Sequence, residues 1–203
     1  MPNQTFYNLT EDKQDSLLKA CKMEFSRAPL HEASISNIIK TCGISRGSFY
    51  QYFEDKEDAY YFILKEHSKQ RQESFISILK EEDGDLFSAI TKFFQMTLDE
   101  LEDEERQSYF KHVFLNMNHK IQNTFTNGDT EDKFLHYLNS IKQYINQEQL
   151  STETEEELYH AIHLVRIVML NNLIQHFAKG LSKEKAMENF KIELHLLKKG
   201  LSK

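Results

Sequence analysis

The amino-acid sequence predicts an all-α protein. Its 203 residues include only six glycines and two prolines, which leaves little material for the tight turns that join strands. Apolar residues recur at the spacing of one helix face through most of the chain. No apolar run approaches the roughly 20 residues of a membrane-spanning helix, and the first residues lack the basic and apolar pattern of a secretory signal. We therefore expect a cytoplasmic protein without a membrane partner.

Three helices are predicted at the N-terminal end. The first runs from Thr10 to Pro29, because two acidic residues at its start favour the positive end of the helix dipole and the proline stops it. The second spans Ser34–Gly43 and the third spans Ser45–Phe53. Serine suits an N-cap at both starts, and glycine suits the left-handed position that ends the second helix. Residues 1–54 are thus a predicted small domain.

Residues 55–203 predict a larger helical domain. A long helix is expected from about residue 55 to residue 80, and Gly84 and Asp85 then interrupt the apolar periodicity. Further helices are expected over residues 86–101, 104–122, 130–148 and 158–178, with a final helix that begins at Ser182.

The last two predicted helices carry more apolar surface than one core needs. Between residues 158 and 178 apolar side chains occur almost all around the helix, and the final helix has an apolar stripe. Such an antiparallel pair can join a matching pair in a four-helix dimer interface, or it can be a core helix covered by a terminal one. The candidate interface residues are Leu173, Phe177, Phe190, Leu194 and Leu197.

Charge is distributed unevenly along the chain. The formal net charge of −7 at pH 7 disfavours a nucleic-acid partner, because phosphate neutralisation needs Lys and Arg. Residues 27–53, however, carry three basic residues against one acidic residue, and the acidic runs lie at residues 99–105 and 153–157. DNA binding depends on the local field, so the acidic balance does not exclude it.

The second and third predicted helices have the pattern of a helix-turn-helix motif. In such a motif the N-terminal part of the second helix of the pair enters the major groove. Arg46 can donate two hydrogen bonds to guanine, and Gln51 can pair with adenine. Phe49 and Phe53 are expected to face a small core. The bare pattern also fits an ordinary helix–turn–helix corner on the surface of any helical protein.

Other polar groups of this segment also suit DNA. Ser45 and Ser48 can reach bases or phosphates, and Tyr50 and Tyr52 offer hydroxyls to phosphates and rings to thymine methyls. Gly47 removes a side chain where the helix would approach the duplex. Near the start of the long helix, a lysine and a helix N-terminus together suit a phosphate.

Residues 34–58 read SISNIIKTCGISRGSFYQYFEDKED. This segment resembles the signature of the TetR family of transcriptional regulators, in which a glycine turn precedes a short recognition helix that ends in Tyr-x-Tyr-Phe and is followed by Lys-Glu. The resemblance covers roughly residues 10 to 60. It implies DNA contacts at Ser36, Asn37, Ser45, Arg46, Gly47, Ser48, Tyr50, Gln51, Tyr52 and Lys56. Gln51 replaces the family's common histidine, and Ser36 stands where many relatives have a basic residue.

Beyond residue 60 only the layout of helices resembles the family. It implies that residues 55–203 are a ligand-binding and dimerisation domain whose last two helices form the dimer interface. The resemblance then implies a homodimer that binds a palindromic double-stranded operator, with recognition helices about 34 Å apart, and represses transcription until a small molecule releases it. The alternative is a ligand-sensing or protein-binding helical module without sequence-specific DNA binding.

An apolar ligand pocket is expected in the larger domain. Its candidates are large, adaptable apolar side chains with two polar anchors. They are Phe93, Met96, Phe110, Phe114, Met117, Tyr137, Met169, His163 and Arg166. Each apolar residue can equally be ordinary core, and the two polar residues can form an ion pair or face solvent.

Metal and enzyme hypotheses find little support. Glu156, His160 and His163 can share one helix face, but the sequence identifies no further ligands, so we expect no metal and no cofactor. The sequence contains no G-x-S-x-G, P-loop, G-x-G-x-x-G or H-E-x-x-H motif, and we expect no enzyme. Cys21 and Cys42 fall at apolar helix positions and are interpreted as buried free thiols, with a redox switch as the alternative.

Overall fold

The structure, a computed structural model, describes residues 1–116, 120–121 and 138–201, and within these ranges it contains helices and turns but no strand. The predicted all-α class is therefore confirmed. The helices whose two ends both lie in the described residues are α1 (Gln4–Tyr7), α2 (Glu11–Arg27), α3 (Ile35–Cys42), α4 (Arg46–Tyr52), α5 (Lys56–Glu81), α6 (Leu86–Glu100), α7 (Glu104–Leu115), α8 (Glu155–Lys179) and α9 (Lys183–Leu201), and residues 120–121 and 138–141 are helical as well.

The chain forms two compact units. The first comprises Met1–Lys69 and Glu102–Phe125, and the second comprises Gln70–Leu101 and Thr126–Lys203. Helix α5 contributes its first half to one unit and its second half to the other. Within the first unit α7 packs on α2, so the predicted division after residue 54 separates two helices that the fold brings together.

The core of the first unit is aromatic. Phe25 of α2 is fully buried, and its ring meets Tyr60 edge-on at a centroid distance of 5.1 Å. Phe49 and Phe53 are also fully buried, with ring centroids 5.7 Å apart, as the motif predicts. These rings fix α4 to the rest of the unit from one side only.

The core of the second unit is built by α6, α8 and α9. The rings of Phe94 and Phe190 lie 4.2 Å apart between α6 and α9, and both side chains are fully buried. Asn172 of α8 is buried and donates to Glu193 of α9 at 2.8 Å. A polar contact of this kind fixes the register of the two helices as well as their packing.

Helix α6 begins after a tight turn. Gly84 has a φ of +79°, and a β-carbon on it would lie 2.6 Å from the backbone nitrogen of Asn146. Asp85 then caps α6, because its carboxylate accepts the N–H groups of Phe87 and Ser88 at 2.9 and 3.0 Å. The predicted break at this point is confirmed, and its cause is a close backbone approach.

Two predicted helices differ from the structure. Within the range 104–122, α7 ends at Leu115, where the Asn116 side chain donates to the carbonyl of His112 at 2.9 Å, and residues 120–121 are helical as predicted. The helix expected over residues 130–148 is α-helical over residues 138–141 and then gives way to short 3-10 turns at Lys142–Tyr144 and Gln147–Gln149. The Asn146 side chain accepts the Glu148 N–H and so favours a turn over a continuing helix.

Both cysteines are free thiols. Cys21 is fully buried, and burial, with a smaller contribution from Cys42, raises the pKa of its thiol to about 12. Cys42 is half-buried and its pKa is also raised, chiefly by burial. Thiols with raised pKa values are poor nucleophiles, which favours the structural interpretation.

Candidate nucleic-acid interface

The turn between α3 and α4 has the predicted geometry. Gly43 adopts a φ of +70°, in the left-handed region that glycine tolerates best, and the Ile44 N–H donates to the Ile39 carbonyl at 3.1 Å. Ser45 caps α4 because its hydroxyl accepts the N–H of Ser48 at 3.0 Å. The two helices of the motif are therefore joined by a turn that the sequence specifies locally.

The outer face of α4 is polar and accessible. Arg46, Gly47 and Gln51 are exposed, and the Tyr50 ring is 43 % exposed. Arg46 donates to the Tyr50 hydroxyl at 3.3 Å, which places these two side chains side by side one helical turn apart. A β-carbon on Gly47 would meet only an ordinary contact at 3.7 Å, so the protein interior does not require glycine there.

The N-terminal end of α3 is held by a residue that the sequence analysis missed. Glu24 of α2 is only 4 % exposed, and its carboxylate accepts the Ser34 N–H at 2.7 Å. Arg27 donates to both of its oxygens at 2.8 and 2.6 Å, and the Asn37 amide lies within 3.2 and 3.3 Å of the same two oxygens. The Ser34 hydroxyl makes no capping bond, so Glu24 replaces it from another helix.

This network includes Asn37. Its amide nitrogen bonds Glu24, so this donor is engaged in the free protein, but the residue itself is exposed and stays a predicted DNA contact. The sequence signal for Glu24 is an acidic residue that stands beside Phe25 on a helix and three residues before Arg27. That signal identifies an ion pair, but it does not reveal which helix end the carboxylate reaches.

Glu24 remains ionised despite its burial. The Arg27 side chain, as the largest influence, lowers the pKa of the Glu24 carboxyl by hydrogen bonding. Burial acts in the opposite direction, and the hydrogen bonds from Ser34 and Asn37 and the charge of Arg27 lower the pKa further. The negative charge also lies at the positive end of the α3 dipole, where it is favourable.

Lys56 bonds two backbone carbonyls of the α2–α3 loop in the free protein. Its ammonium group donates to the carbonyls of His31 and Ala33 at 3.0 and 2.9 Å, which fastens the α2–α3 loop to the start of α5. An ammonium group has three donors, so one N–H is left over from these two bonds. Among the other predicted contacts, Ser36 is exposed and Tyr52 is half-buried.

The predicted pocket residues are divided between the two compact units. Phe110 and Phe114 belong to the first unit, where both are buried. Phe93, Met96, His163, Arg166 and Met169 belong to the second unit. Met117 and Tyr137 lie outside the described residues.

Two of these aromatics are packed as core. The ring of Phe93 lies 5.2 Å from Phe75 and beneath the Arg71 guanidinium at 4.1 Å, and Phe110 lies 4.6 Å from the His67 ring. Met96, Met169, His163 and Arg166 are half-buried. Burial, the charge of Arg166 and that of His160 together lower the pKa of His163, which favours its neutral form.

An open groove lies elsewhere in the second unit, between α6 and α9. Its volume is about 510 Å³, and it contains none of the predicted pocket residues. Its walls are formed by Phe87, Ser88, Thr91, Lys92, Gln95, Met187, Lys191, Leu194, His195 and Lys198.

The α8–α9 hairpin presents a different apolar surface from the predicted one. Leu173, Phe190 and Leu194 are 3 %, 0 % and 5 % exposed, so they form the core of the protomer and are not available to a partner. Phe177 and Leu197 are half-buried. The exposed large apolar side chains of the two helices are Leu164, Ile167, Ile192 and Leu196. Periodicity alone could not separate the inner and outer stripes of a helix that is apolar almost all round.

Over residues 1–116, 120–121 and 138–201, no group of three or more His, Cys, Asp or Glu side chains is arranged to hold a metal ion. Among the helices of the same described residues, none has the length and apolar character needed to cross a membrane.

The fold and the exposed face of α4 define a helix-turn-helix protein. Two family models match the sequence: residues 17–58 match the bacterial regulatory proteins of the tetR family, and residues 85–201 match the tetracyclin repressor-like C-terminal domain. The chain therefore belongs to the TetR family of transcriptional regulators.

A curated relative is the uncharacterized HTH-type transcriptional regulator YdgC of Bacillus subtilis (strain 168), with 37 % identity over 62 residues. The match covers 30 % of this chain and 32 % of the relative, so it spans about a third of that protein's length.

Solved structures share the fold over nearly the whole chain. A putative TetR-family regulator from Mesorhizobium loti has a TM-score of 0.67 at 16 % identity, with 96 % of this chain and 100 % of the other covered. The SmeT–triclosan complex has a TM-score of 0.65 at 15 % identity, with coverage of 95 % and 93 %. The reduced form of E. coli NemR has a TM-score of 0.62 at 17 % identity, with coverage of 94 % and 98 %.

Proposed function

We propose that this regulator binds a palindromic DNA operator as a homodimer and represses transcription until a small molecule releases it. The observation that carries the proposal is the outer face of α4, where Arg46, Tyr50 and Gln51 stand exposed on a helix whose inner face is fixed by buried phenylalanines. Polar side chains held rigidly on the outer face of a short helix are what major-groove recognition needs. A role on chromosomal DNA places the protein in the cytoplasm.

The roles on DNA follow from side-chain chemistry. Arg46 donates to guanine, Gln51 pairs with adenine, and Tyr50 contacts phosphate or a thymine methyl. Hydroxyl groups for DNA are supplied by Ser36, Ser45, Ser48 and Tyr52. Gly47 permits close approach of α4 to the duplex, and Lys56 contributes its remaining N–H to a phosphate. Asn37 is exposed at the start of α3, where it bonds Glu24 and remains a proposed contact.

The homodimer is supported by the exposed apolar residues of α8 and α9. Leu164 and Ile167 are 44 % and 40 % exposed and are three residues apart on α8, while Ile192 and Leu196 are 53 % and 64 % exposed and four residues apart on α9. These spacings place each pair on one helix face. Two such hairpins, related by a two-fold axis, form a four-helix interface and bring two recognition helices to one palindrome.

The effector is supported by family membership and by one relative. SmeT was solved as a complex with triclosan, which is a property of that protein. In this chain the half-buried Met96 and Met169 offer adaptable apolar surface in the second unit, and His163 and Arg166 offer polar anchors there. A small apolar or carboxylate-bearing molecule fits that chemistry. We propose no catalytic activity and no cofactor.

The DNA-binding part is tested by selection of bound sequences from a random duplex library, followed by gel shift across a salt series. A palindromic motif and binding that weakens with salt are expected. The second candidate, a helical sensor without operator recognition, predicts no enriched sequence and no salt-dependent binding. That result would remove the repressor proposal.

Variants then separate base contacts from phosphate contacts. Arg46→Ala should cost about 1–3 kcal/mol on the selected site and relax the preference at one base position. Lys56→Ala should weaken cognate and random DNA alike and reduce the salt slope by about one. Arg106→Ala, an exposed arginine on α7, is the matched control and should leave both affinities unchanged. Equal losses on both DNAs for Arg46→Ala would contradict its assigned role.

The dimer is tested by sedimentation. Leu164→Glu combined with Ile192→Glu should convert the dimer to a folded monomer with poor operator binding, because four charges would be buried in the interface. Leu115→Glu, at a leucine that is 47 % exposed in the first unit, is the control and should remain dimeric. Unchanged mass for the double variant would assign the interface to another surface.

A further inference from the structure

We propose that the segment Asn3–Phe6 is a positioning element that caps the C-terminal end of the recognition helix α4 and fixes the orientation of its reading side chains. The inference rests on the proposed DNA-binding function and adds to it. The segment lies outside residues 17–58 and 85–201, the two stretches that match the family models, so the family pattern does not assign it a role.

Helix α4 needs support at its C-terminal end. It has seven residues, and isolated helices shorter than about 12 residues are marginal in water. Its start is capped by Ser45, but no glycine ends it, since Phe53 follows in an extended conformation with a φ of −128°. The last carbonyls of a helix lack partners within the helix and must find donors elsewhere.

Those donors come from the N-terminal segment. The Asn3 backbone N–H donates to the Tyr52 carbonyl at 2.8 Å, and the Asn3 side-chain amide donates to the Gln51 carbonyl at 3.3 Å. The Thr5 hydroxyl donates to the same Gln51 carbonyl. Two successive carbonyls of the last turn are therefore bonded by residues more than 40 positions earlier in the chain.

Phe6 holds this cap in place. It is 1 % exposed, and its ring lies 5.4 Å from Phe53 and 5.5 Å from Phe62. Phe53 in turn packs on Phe49 of α4. Because one apolar cluster anchors both the segment and the helix, the donors of Asn3 and Thr5 are fixed relative to the carbonyls they bond.

The segment is unsuited to hold DNA by itself. Residues 1–12 contain no lysine or arginine, and residues 11 and 12 are acidic. Such a sequence cannot neutralise phosphates, which is how flexible arms strengthen DNA binding. The contacts of the segment are instead with the backbone of Gln51 and Tyr52, two residues whose side chains face DNA in the proposed function.

The cap should affect binding to the operator more than binding to random DNA. Hydrogen bonds to base edges require side chains held within about 0.5 Å of their productive position, whereas phosphate contacts tolerate small shifts. Loss of the cap should therefore weaken binding to the operator more than binding to random DNA. A merely structural role would lower both by the same factor, in proportion to the fraction of folded protein.

The test uses Thr5→Val, which removes the hydroxyl and keeps the shape of the side chain, together with Asn3→Ala. The probes are the duplex selected by the wild-type protein and a scrambled duplex of equal length. We expect the double variant to bind the selected duplex about 3- to 10-fold more weakly, as loss of one to two hydrogen bonds implies, with binding to the scrambled duplex unchanged. Gln4→Ala, an exposed residue of the same segment, is the control and should match wild type.

Amide hydrogen exchange of residues 46–53 provides a readout without DNA. Exchange should be faster in the double variant than in the Gln4→Ala control, with the melting temperature nearly unchanged. Equal weakening on both duplexes, or unchanged exchange in α4, overturns the inference. If the wild-type protein selects no sequence, the proposed function fails on that result alone, and unchanged or accelerated exchange still decides whether the segment caps the helix.

Discussion

Removal of the Glu24 carboxylate should loosen the start of α3 more than any surface charge change in the same unit. In Glu24→Leu the Ser34 N–H loses its acceptor and the Asn37 amide loses both of its own, all close to a side chain that is 4 % exposed. A bond to a charged group contributes about 1.5–3 kcal/mol, and loss of an N-cap costs about 0.5–2 kcal/mol. These contributions overlap, so a loss of about 2–4 kcal/mol is expected.

The Arg27 ion pair is buried on one side only. The Arg27 side chain is 55 % exposed and screened by water, whereas the Glu24 carboxylate is 4 % exposed and loses two of its hydrogen bonds in Arg27→Ala. Arg27→Ala should therefore destabilise the protein, but it should leave the bond from the Ser34 N–H to Glu24 in place. The comparison separates the capping role of the carboxylate from its role in the ion pair.

The stabilisation that the Glu24 carboxylate contributes should decrease at low pH. The pKa of Glu24 is lowered in the folded chain, so its contribution is complete above the ordinary glutamate pKa of about 4.3 and is lost as pH falls through the lower folded value. The difference between wild type and Glu24→Gln should be constant from pH 8 to about pH 5 and should shrink below about pH 4.

The assay is amide exchange of residues 34–42, with circular dichroism for the whole chain. The sequence has no tryptophan, and two compact units need not unfold together, so a local probe is required. Glu32→Ala, at a glutamate that is 65 % exposed, is the matched control and should be silent. Exchange in Glu24→Leu equal to wild type would refute the capping role of the carboxylate.

Three further predictions concern backbone geometry and buried polar contacts. Gly84→Ala should destabilise the second unit by several kcal/mol in thermal melts, because its β-carbon would lie 2.6 Å from the Asn146 nitrogen at a positive φ. Asn172→Ala should cost about 0.5–1.5 kcal/mol, measured by urea unfolding, because it removes the hydrogen bond from the buried amide to Glu193 while water solvates the exposed carboxylate. Ser45→Ala should remove about 1 kcal/mol from α4 and speed its amide exchange.

Local chemistry accounts for what the sequence predicted well. The local signals are a glycine in the left-handed region, a serine at the start of α4 and phenylalanines at helical spacing. Each signal acts within a few residues, so the helix-turn-helix geometry could be predicted from residues 34–53. The helix expected over residues 130–148 was wrong only after residue 141, since apolar spacing does not reveal that Asn146 favours a turn and meets Gly84.

The surface of the last two helices shows the limit of periodicity. Leu173 and Leu194 were assigned to a partner, but α6 covers this side of the hairpin within the same unit, and the exposed apolar residues are Leu164 and Ile192. A helix that is apolar almost all round gives no indication of which stripe its own chain covers.

The sequence by itself determined the all-α fold and the recognition helix, because those depend on residue types and short spacings, and the resemblance of residues 34–58 to the TetR signature indicated the class of protein. Only the tertiary structure decided what holds that helix. Glu24 reaches α3 from another helix, Lys56 fastens the α2–α3 loop, and Asn3 and Thr5 bond the last turn of α4 from the start of the chain. Each of these contacts joins two residues that are separated by 10 to almost 50 positions in the sequence. Packing determines which of them meet, and no local sequence pattern predicts it.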